Sequence, residues 1–212
     1  MHEQTDKQLK QLYDRFSSAT IPVHRAYMQS IHVLINLTEA RDPYTKRHSV
    51  KVSACAVMLA KSMGIPKKEL ESIRLAAILH DIGKVGIRES ILLKNGSLNN
   101  NEYKEVQKHS ELGAEIIKPF KFFAAIVPII KHHHENYDGT GYPAGLKGEA
   151  IPLASRILAI ADAYDALTSK RVYRDAYSAE EAKRIMKKAS GKKFDPALLK
   201  RFIACLQERG KR

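Results

Sequence analysis

The sequence predicts an all-α fold, a bundle of several helices within one domain. Apolar residues recur at spacings of three and four along most of the 212-residue chain. Prolines and glycines separate these segments, and no stretch shows the alternation of apolar and polar residues that a half-buried strand would require. We expect the domain to span residues 22–212, preceded by a helical lead or linker at 1–21.

The N-terminal third of the chain predicts three helical segments. The lead carries apolar residues at helical spacing, namely Leu9, Leu12 and Phe16. Pro22 opens a second helix, and Asp42-Pro43 breaks it, because proline disfavours a helical conformation in the residue before it. A third helix is predicted from about Thr45 to Met63, where Gly64 ends it.

The central part of the chain predicts helices that end in polar, histidine-bearing turns. A helix opened by Pro66 carries an apolar face that runs directly into His80-Asp81, and Gly83 and Gly86 end it. Three more helices are predicted to begin near Asn101, near Ser110 and over Lys121–His134. The last of these contains the longest apolar run, Phe122–Ile130, which reads as a core helix.

The C-terminal part begins with a loop. Five glycines and prolines crowd into residues 135–150, a composition typical of an irregular segment. Pro152 then opens a long helix through Asp162 to about Lys170, and two further helices are predicted over 179–190 and 196–208.

Composition narrows the class of protein. The net charge of +13 favours anionic partners, although a basic solvated surface would give the same value. The longest apolar run is too short to span a membrane, and the N-terminus has no signal core, so we expect a cytoplasmic protein. Cys55 and Cys205 lie in apolar helical patterns and are expected to be reduced, buried thiols.

Histidines and aspartates at the ends of apolar helices are the main chemical signal. His80-Asp81 closes one apolar helix and Asp162 lies inside another, where an ionised carboxylate is costly unless it is paired or bound to a metal. One such residue alone would more often be structural. Seven together predict a buried metal centre: His48, His80, Asp81, His109, His133, His134 and Asp162.

Imidazole and carboxylate ligands without thiolate suit iron or manganese, and also nickel or zinc. A carboxylate can bridge two ions, and Asp81 is the natural candidate because it follows His80 directly. Two ions about 3.5–4 Å apart can hold a water between them and deliver it as hydroxide to phosphorus. The residues therefore predict hydrolysis of a phosphodiester.

The chain resembles the HD-GYP branch of the HD phosphohydrolases over about residues 26–205. The motifs that carry this resemblance are Arg41–Thr45 before His48, His80-Asp81-Ile82-Gly83-Lys84, Lys108-His109-Ser110 before Gly113, His133-His134-Glu135, Asp138-Gly139-Thr140-Gly141-Tyr142-Pro143, Arg156 to Arg174, and Phe194-Asp195-Pro196. The resemblance implies an HD-type helical bundle around a binuclear metal centre. It also implies a bacterial signalling phosphodiesterase that converts cyclic di-GMP to pGpG or GMP.

Matching motif positions assign the ligands. One ion would take His48, His80, Asp81 and Asp162, and the other would take Asp81, His109, His133 and His134. Some members carry a glutamate four residues before the first histidine, which helps to hold a third metal. Tyr44 occupies that position here, so we expect two ions and no third.

Several residues outside the ligand set are predicted to handle substrate. Lys84, three residues after Asp81, is expected to bind a phosphate oxygen, or else to be a solvent-facing lysine. Arg171 and Arg174 are expected to grip phosphates, or else to form surface ion pairs. Tyr142 is expected to stack on a base or line the pocket, and Asp165 to orient a ligand or water from behind it.

Glu135 has two alternative interpretations, as a proton acceptor or as a residue that supports the ligands or the structure. Two alternatives to cyclic di-GMP hydrolysis also remain open, namely a phosphodiesterase for another cyclic dinucleotide and a catalytically silent sensor or interaction module. The resemblance further implies possible contact with a diguanylate cyclase and an upstream sensor or receiver domain. A homodimer through the N-terminal helix is possible, and a nucleic-acid partner is not expected.

Overall fold

The computed structural model describes residues 33, 45–94, 96–170 and 175–209. Over these residues the chain forms helices and turns without a strand, and one isolated parallel bridge joins Ser190 to Phe194. The all-α prediction is therefore confirmed. The lead at 1–21 and the helix opened by Pro22 lie outside the described residues, so the domain boundaries stay predictions.

The described ranges contain α-helices in the predicted order, with one short additional helix at Glu89–Leu92 that was not predicted. They are α1 Thr45–Ser62, α2 Lys67–Leu79, α3 Glu89–Leu92, α4 Asn100–Gln107, α5 His109–Ile117, α6 Val127–Lys131, α7 Leu153–Thr168, α8 Ala179–Lys188 and α9 Pro196–Arg209. Short 3₁₀ turns occupy Ile82–Gly86, Lys121–Phe123 and Gly148–Ala150. Asn99 and Ser178 each form a capping box at the start of α4 and α8, which satisfies two N–H groups that the helix itself leaves unpaired.

The core lies between α1, α2, α7 and α9. Helix α1 packs against α2 and α7, and α9 packs against α1 and α7. Their facing side chains are almost fully buried, among them Leu59, Leu79, Ile157, Leu158 and Phe202. Burial of each such side chain stabilises the fold by about 1.5–3 kcal/mol before the entropy of ordering is counted. This packing fixes the ends of α2 and the middle of α7 against α1, where the histidines and aspartates lie.

The predicted helix over Lys121–His134 is wrong in its extent. Residues 121–123 form a 3₁₀ turn, and α6 covers only Val127–Lys131. Pro128 explains the break, because it has no N–H and its ring would clash with a helical carbonyl four residues earlier. The run is also not wholly core: Phe122 is 62% exposed, whereas Phe123, Ile126 and Ile130 are buried.

Two further features follow from the described residues. Among the helices that can be examined, none combines the length and the apolar character needed to cross a membrane. Cys55 and Cys205 are both buried and free, as predicted.

Candidate metal centre

Five separate segments bring the seven predicted ligands together. His48 lies on α1, His80 and Asp81 follow α2, and Asp162 lies on α7, while the remaining histidines come from the start of α5 and from the turn after α6. Three groups have ligand atoms within 4.8 Å of one another: His48 with His80 and Asp162, His109 with His133 and His134, and His80 with Asp81 and His133. The ligand atoms of all seven residues therefore face one space, here called the cavity; four of the residues are buried, and His48, His134 and Asp162 are partly exposed.

The local fold fixes the tautomer of three histidines. Each lies just beyond the last turn of a helix and donates from Nδ1 to the carbonyl three residues earlier: His80 to Ala77 at 2.8 Å, His109 to Val106 at 2.6 Å, and His133 to Ile130 at 2.5 Å. These carbonyls belong to helix ends, where the helix supplies no partner for them. With Nδ1 protonated, each neutral ring presents the Nε2 lone pair to the cavity.

His48 is oriented by a side chain instead. Its Nδ1 lies 2.7 Å from Asp165 Oδ2, so this ring also presents Nε2 to the cavity. Asp165 in turn accepts a hydrogen bond from Ser169 Oγ at 3.0 Å, and Lys51 Nζ donates to Ser169 Oγ at 3.0 Å. Asp165 therefore lies behind His48, and Ser169 and Lys51 extend this chain of hydrogen bonds.

The Nε2 atoms face one another at short range. His48 and His80 are 3.4 Å apart at Nε2, His109 and His133 are 3.4 Å apart, and His134 and His109 are 3.2 Å apart. In the His48–His80 and His109–His133 pairs both neutral rings direct an Nε2 lone pair at the other, and two such atoms cannot hydrogen-bond to each other, so a proton or a cation between them would satisfy both. A cation bound at about 2.0–2.1 Å from each nitrogen would hold two ligand nitrogens roughly 3 Å apart.

Asp81 lies between the two histidine groups. Its Oδ2 is 3.4 Å from His80 Nε2 and 3.9 Å from His48 Nε2, whereas its Oδ1 is 3.6 Å from His109 Nε2. One oxygen therefore faces each group. Asp162 Oδ1 lies 3.4 Å from His48 Nε2 and belongs to the first group.

Burial and charge keep most of these groups in the form that binds cations. Burial lowers the pKa of His109 and His134, and it lowers the pKa of His133 to about 3, so these rings are neutral at pH 7. Burial opposes ionisation of Asp81, but Lys84 and the nearby histidines hold its pKa well below the usual range.

Neighbouring charges shift the pKa values of Asp162 and His48. Burial also opposes ionisation of Asp162, yet His80 and His48 lower its pKa. Burial alone would lower the pKa of His48, but the hydrogen bond to Asp165 and the charges of Asp162 and Asp81 outweigh it and raise that pKa. A cation that binds at His48 must therefore compete with a proton.

The donor set fits divalent cations. Five imidazoles, four of them with the Nε2 lone pair directed into the cavity, and two ionised carboxylates form a nitrogen- and oxygen-rich cavity without thiolates. The opposed Nε2 atoms are the decisive observation, because a protein interior rarely leaves such groups without a partner. His48, His80 and Asp162 form one half of the cavity, and His109, His133 and His134 form the other, with Asp81 between them.

Lys84 and Tyr142 lie at the edge of this cavity. Lys84 Nζ is 2.8 Å from Asp81 Oδ2, and a quarter of its side chain is exposed. The Tyr142 ring lies 4.9 Å from that of His134, inclined by 30°, and 6.5 Å from that of His109. Burial raises the pKa of the Tyr142 phenol above its usual range, so it is protonated at neutral pH.

Some predicted residues lie outside the described part of the chain. Arg171, Arg174 and Tyr44 are among them, so their predicted substrate and metal roles stay predictions. Glu135 is described, and its carboxylate is turned away from the cavity toward backbone N–H groups of Ala144 and Leu146. A role as proton acceptor in the cavity does not fit this position.

Gly83, Gly113 and His132 were not predicted to have a role in the metal centre. A Cβ on Gly83 would lie 1.9 Å from the carbonyl oxygen of His109 and 2.5 Å from the nitrogen of Gly113, so only glycine permits this approach. The sequence places Gly83 two residues after Asp81 and Gly113 four residues after His109, but this spacing alone does not show that the two backbones touch. His132 contacts Glu135 at 3.2 Å, and nothing in its sequence context distinguishes it from the ligands that follow.

Comparison with known proteins gives a consistent result. Residues 32–198 match the model of a family described as HD domain. A cyclic di-GMP phosphodiesterase of Vibrio cholerae is 37% identical over 209 residues, which cover 92% of this chain and 42% of that protein. A 3′3′-cGAMP-specific phosphodiesterase of the same organism is 39% identical over 175 residues, which cover 82% of this chain and 34% of that protein.

A solved structure shares the fold. The chain superposes on a cyclic GMP-AMP specific phosphodiesterase of V. cholerae with a TM-score of 0.66 and 23% identity, over 84% of this chain and 48% of that one. The chain thus spans less than half the length of each of these relatives.

Proposed function

Because the chain belongs to the HD domain family, in its HD-GYP branch, we propose that it is a phosphodiesterase that hydrolyses cyclic di-GMP to pGpG or GMP. The observation that carries this proposal is the position of Asp81, with one carboxylate oxygen toward each of two histidine groups. Membership of the family implies that divalent metal ions bind here.

Two ions would fill the cavity. His48, His80 and Asp162 would hold one with Asp81, and His109, His133 and His134 would hold the other with Asp81. The donor set favours iron or manganese over softer metals, with nickel or zinc as weaker candidates. A third ion is not expected, because Tyr44 offers only a phenol where a carboxylate would be needed. When bound, the ions supply a water that ionises near neutral pH and stabilise negative charge on the phosphate oxygens.

Residues of the chain would position the phosphodiester. Lys84 is the nearest described ammonium to Asp81, and its partial exposure leaves it able to bind a non-bridging phosphate oxygen as negative charge develops. Tyr142 presents its ring beside His134, where a base or ribose of the substrate would pack. Arg171 and Arg174 are proposed to bind the second phosphate, because guanidinium groups pair with phosphate oxygens in bidentate fashion.

The test is turnover by metal-loaded protein. The protein is loaded anaerobically with Fe²⁺ or with Mn²⁺, bound metal is counted per chain, and products from cyclic di-GMP, 3′3′-cGAMP and cyclic di-AMP are separated by chromatography. We expect two ions per chain and formation of pGpG or GMP. Asp81→Ala should lose both ions and all turnover, since each histidine group would lose its shared carboxylate.

Glu115→Ala is the matched control. Glu115 is an exposed carboxylate paired with Lys118 on the surface of α5, a contact of little energetic value. This variant should keep both ions and full activity. Retained turnover in Asp81→Ala would refute the shared role, and three tightly bound ions per wild-type chain would refute the proposed metal count.

The same assay decides between substrates. Relatives of similar identity bear names for cyclic di-GMP and for 3′3′-cGAMP phosphodiesterases, so preference for the hybrid dinucleotide is the second candidate. Both metal sites filled without turnover of any cyclic dinucleotide would indicate the silent sensor. Contact with a diguanylate cyclase, an upstream sensor or receiver domain, and dimerisation through the N-terminal helix stay predictions for the longer protein.

A further inference from the structure

Glu135 occupies the base of the loop that carries Tyr142, here called the glycine-rich loop, residues 136–152. The Glu135 side chain is fully buried. Its Oε1 accepts the backbone N–H of Ala144 at 2.8 Å, and its Oε2 accepts the backbone N–H of Leu146 at 3.1 Å. His132 Nδ1 lies 3.2 Å from Oε1 and provides a third contact.

These hydrogen bonds connect the residue before the loop to two residues in its second half. Ala144 and Leu146 follow Tyr142 by two and four residues, whereas Glu135 precedes it by seven. The carboxylate therefore ties the far side of the loop to the segment that carries His133 and His134. The two bonds hold the loop firmly, because loss of either would leave an oxygen of a fully buried carboxylate without that partner.

The near side of the loop is fixed by backbone packing. Tyr142 N donates to the carbonyl of His134 at 3.2 Å. A Cβ on Gly141 would lie 2.2 Å from the nitrogen of Asn136, so the loop backbone lies directly on the segment after His134. Held from both sides, the Tyr142 ring rests against the His134 ring and lies nearly perpendicular to the His109 ring, 6.5 Å away.

We propose that Glu135 is a positioning residue: through the glycine-rich loop it holds Tyr142 against the histidines and so sets the affinity for the cyclic dinucleotide. This inference rests on the proposed function for the identity of the substrate. Among the described residues, the Glu135 carboxylate hydrogen-bonds to His132, Ala144 and Leu146 and belongs to none of the three ligand groups. Its removal should therefore weaken substrate binding and leave the metal ligands in place.

Glu135→Gln is the first test variant. Glutamine keeps the volume but replaces one acceptor oxygen by an NH₂ group, which cannot accept a hydrogen bond and would face the backbone N–H of Ala144 or of Leu146. We expect KM to rise roughly tenfold, kcat to change less than about threefold, and two ions per chain to remain. Glu149→Gln is the matched control, because Glu149 is an exposed carboxylate of the same loop and should leave KM unchanged.

A double-mutant cycle with Tyr142→Ala separates positioning from a general structural role. If Glu135 acts through Tyr142, Glu135→Gln should raise KM no further once Tyr142 has been removed. His132→Ala deletes one of the three donors and should raise KM in the same direction by a smaller factor, again only while Tyr142 is present. If Glu135→Gln does not fold, His132→Ala tests the positioning role in its place. Additive effects on KM, or loss of bound metal, would overturn the proposal.

Limited trypsin digestion reports on the loop without any substrate. Lys147 is exposed within the glycine-rich loop, and cleavage after it should be faster in Glu135→Gln than in the wild type or in Glu149→Gln. If the wild type hydrolyses no cyclic dinucleotide, the proposed function fails, while this digestion still measures the tie between Glu135 and the loop. Unchanged cleavage in Glu135→Gln would overturn the positioning role in either case.

Discussion

Replacement of Gly83 by alanine should separate the two halves of the metal centre. The added Cβ would lie 1.9 Å from His109 O and 2.5 Å from Gly113 N, both of which are backbone atoms. Normal contact begins at 3.4 Å, so the 82–86 turn and α5 would have to move apart by about 1.5 Å. A flexible side chain could move aside, but these backbone atoms cannot do so independently of α5.

The displacement would change the distance between Asp81 and His109, which connects the two halves of the metal centre. Asp81 Oδ1 lies 3.6 Å from His109 Nε2, and Asp81 immediately precedes the turn that would move. Metal–ligand bonds tolerate about 0.2 Å, far less than the required shift. The ion held by His109 and its neighbours should therefore be lost, while the ion held by His48 and His80 remains. A misplacement of this size should lower kcat by at least about 100-fold.

Two measurements check this prediction. Elemental analysis after gel filtration should find one ion per chain in Gly83→Ala and two in the wild type. Thermal unfolding should show that the variant still folds, because overpacking of this kind typically costs about 1–3 kcal/mol.

Gly86→Ala provides the control from the same 3₁₀ turn. Its Cβ would lie 3.0 Å from Leu112 Cδ1, the end of a flexible side chain, and neither glycine has a positive φ. It should therefore keep both ions and its activity. Two ions and near-normal kcat in Gly83→Ala would refute the reasoning.

Three further predictions concern Asp165, the Arg156–Asp195 ion pair and the Cys55 thiol. Asp165→Ala removes the acceptor for His48 Nδ1 and should weaken metal affinity about 10–100-fold, as measured by chelator competition; unchanged affinity would contradict an orienting role. Asp195→Ala leaves Arg156 largely buried and unpaired, and urea unfolding should show a loss of about 3–5 kcal/mol, whereas a loss below about 1 kcal/mol would count against this ion pair. Burial raises the pKa of Cys55 to about 11, so at pH 8 only about one thiol in a thousand is ionised. An aromatic disulfide reagent should therefore modify Cys55 slowly until the protein is unfolded, and rapid modification of the folded protein would contradict this.

The sequence could predict those parts of the fold that depend on local signals. Pro66 and Gly64 mark real helix boundaries, and the apolar face before His80 is buried. The segment at 121–134 could not be predicted by the same means, because its apolar spacing fits a helix until Pro128 is weighed against it. There the backbone constraint of one proline overrides an otherwise helical pattern.

The membership of the metal centre was predictable, but its internal geometry was not. Each ligand was recognisable because a polar group at an apolar helix end needs a partner. The direction of each ring depends on acceptors that no motif specifies, such as Asp165 for His48 on a helix 117 residues away. Glu135 illustrates the same limit. Its place beside His134 in the sequence suggested a side chain in the cavity, but its carboxylate accepts hydrogen bonds from the loop.

The position of the histidines at helix ends explains why this fold can build the centre with so few supporting side chains. A metal-binding histidine must have one nitrogen protonated and held, so that the other is directed at the ion. Here the carbonyls of Ala77, Val106 and Ile130 perform that task for three rings. These carbonyls would otherwise lack partners inside a buried region, so the histidines satisfy the helix ends while the helix ends orient the histidines. His48 lies within α1 instead of beyond the end of a helix, and it is the one ring of these four that needs a carboxylate, Asp165, to hold it.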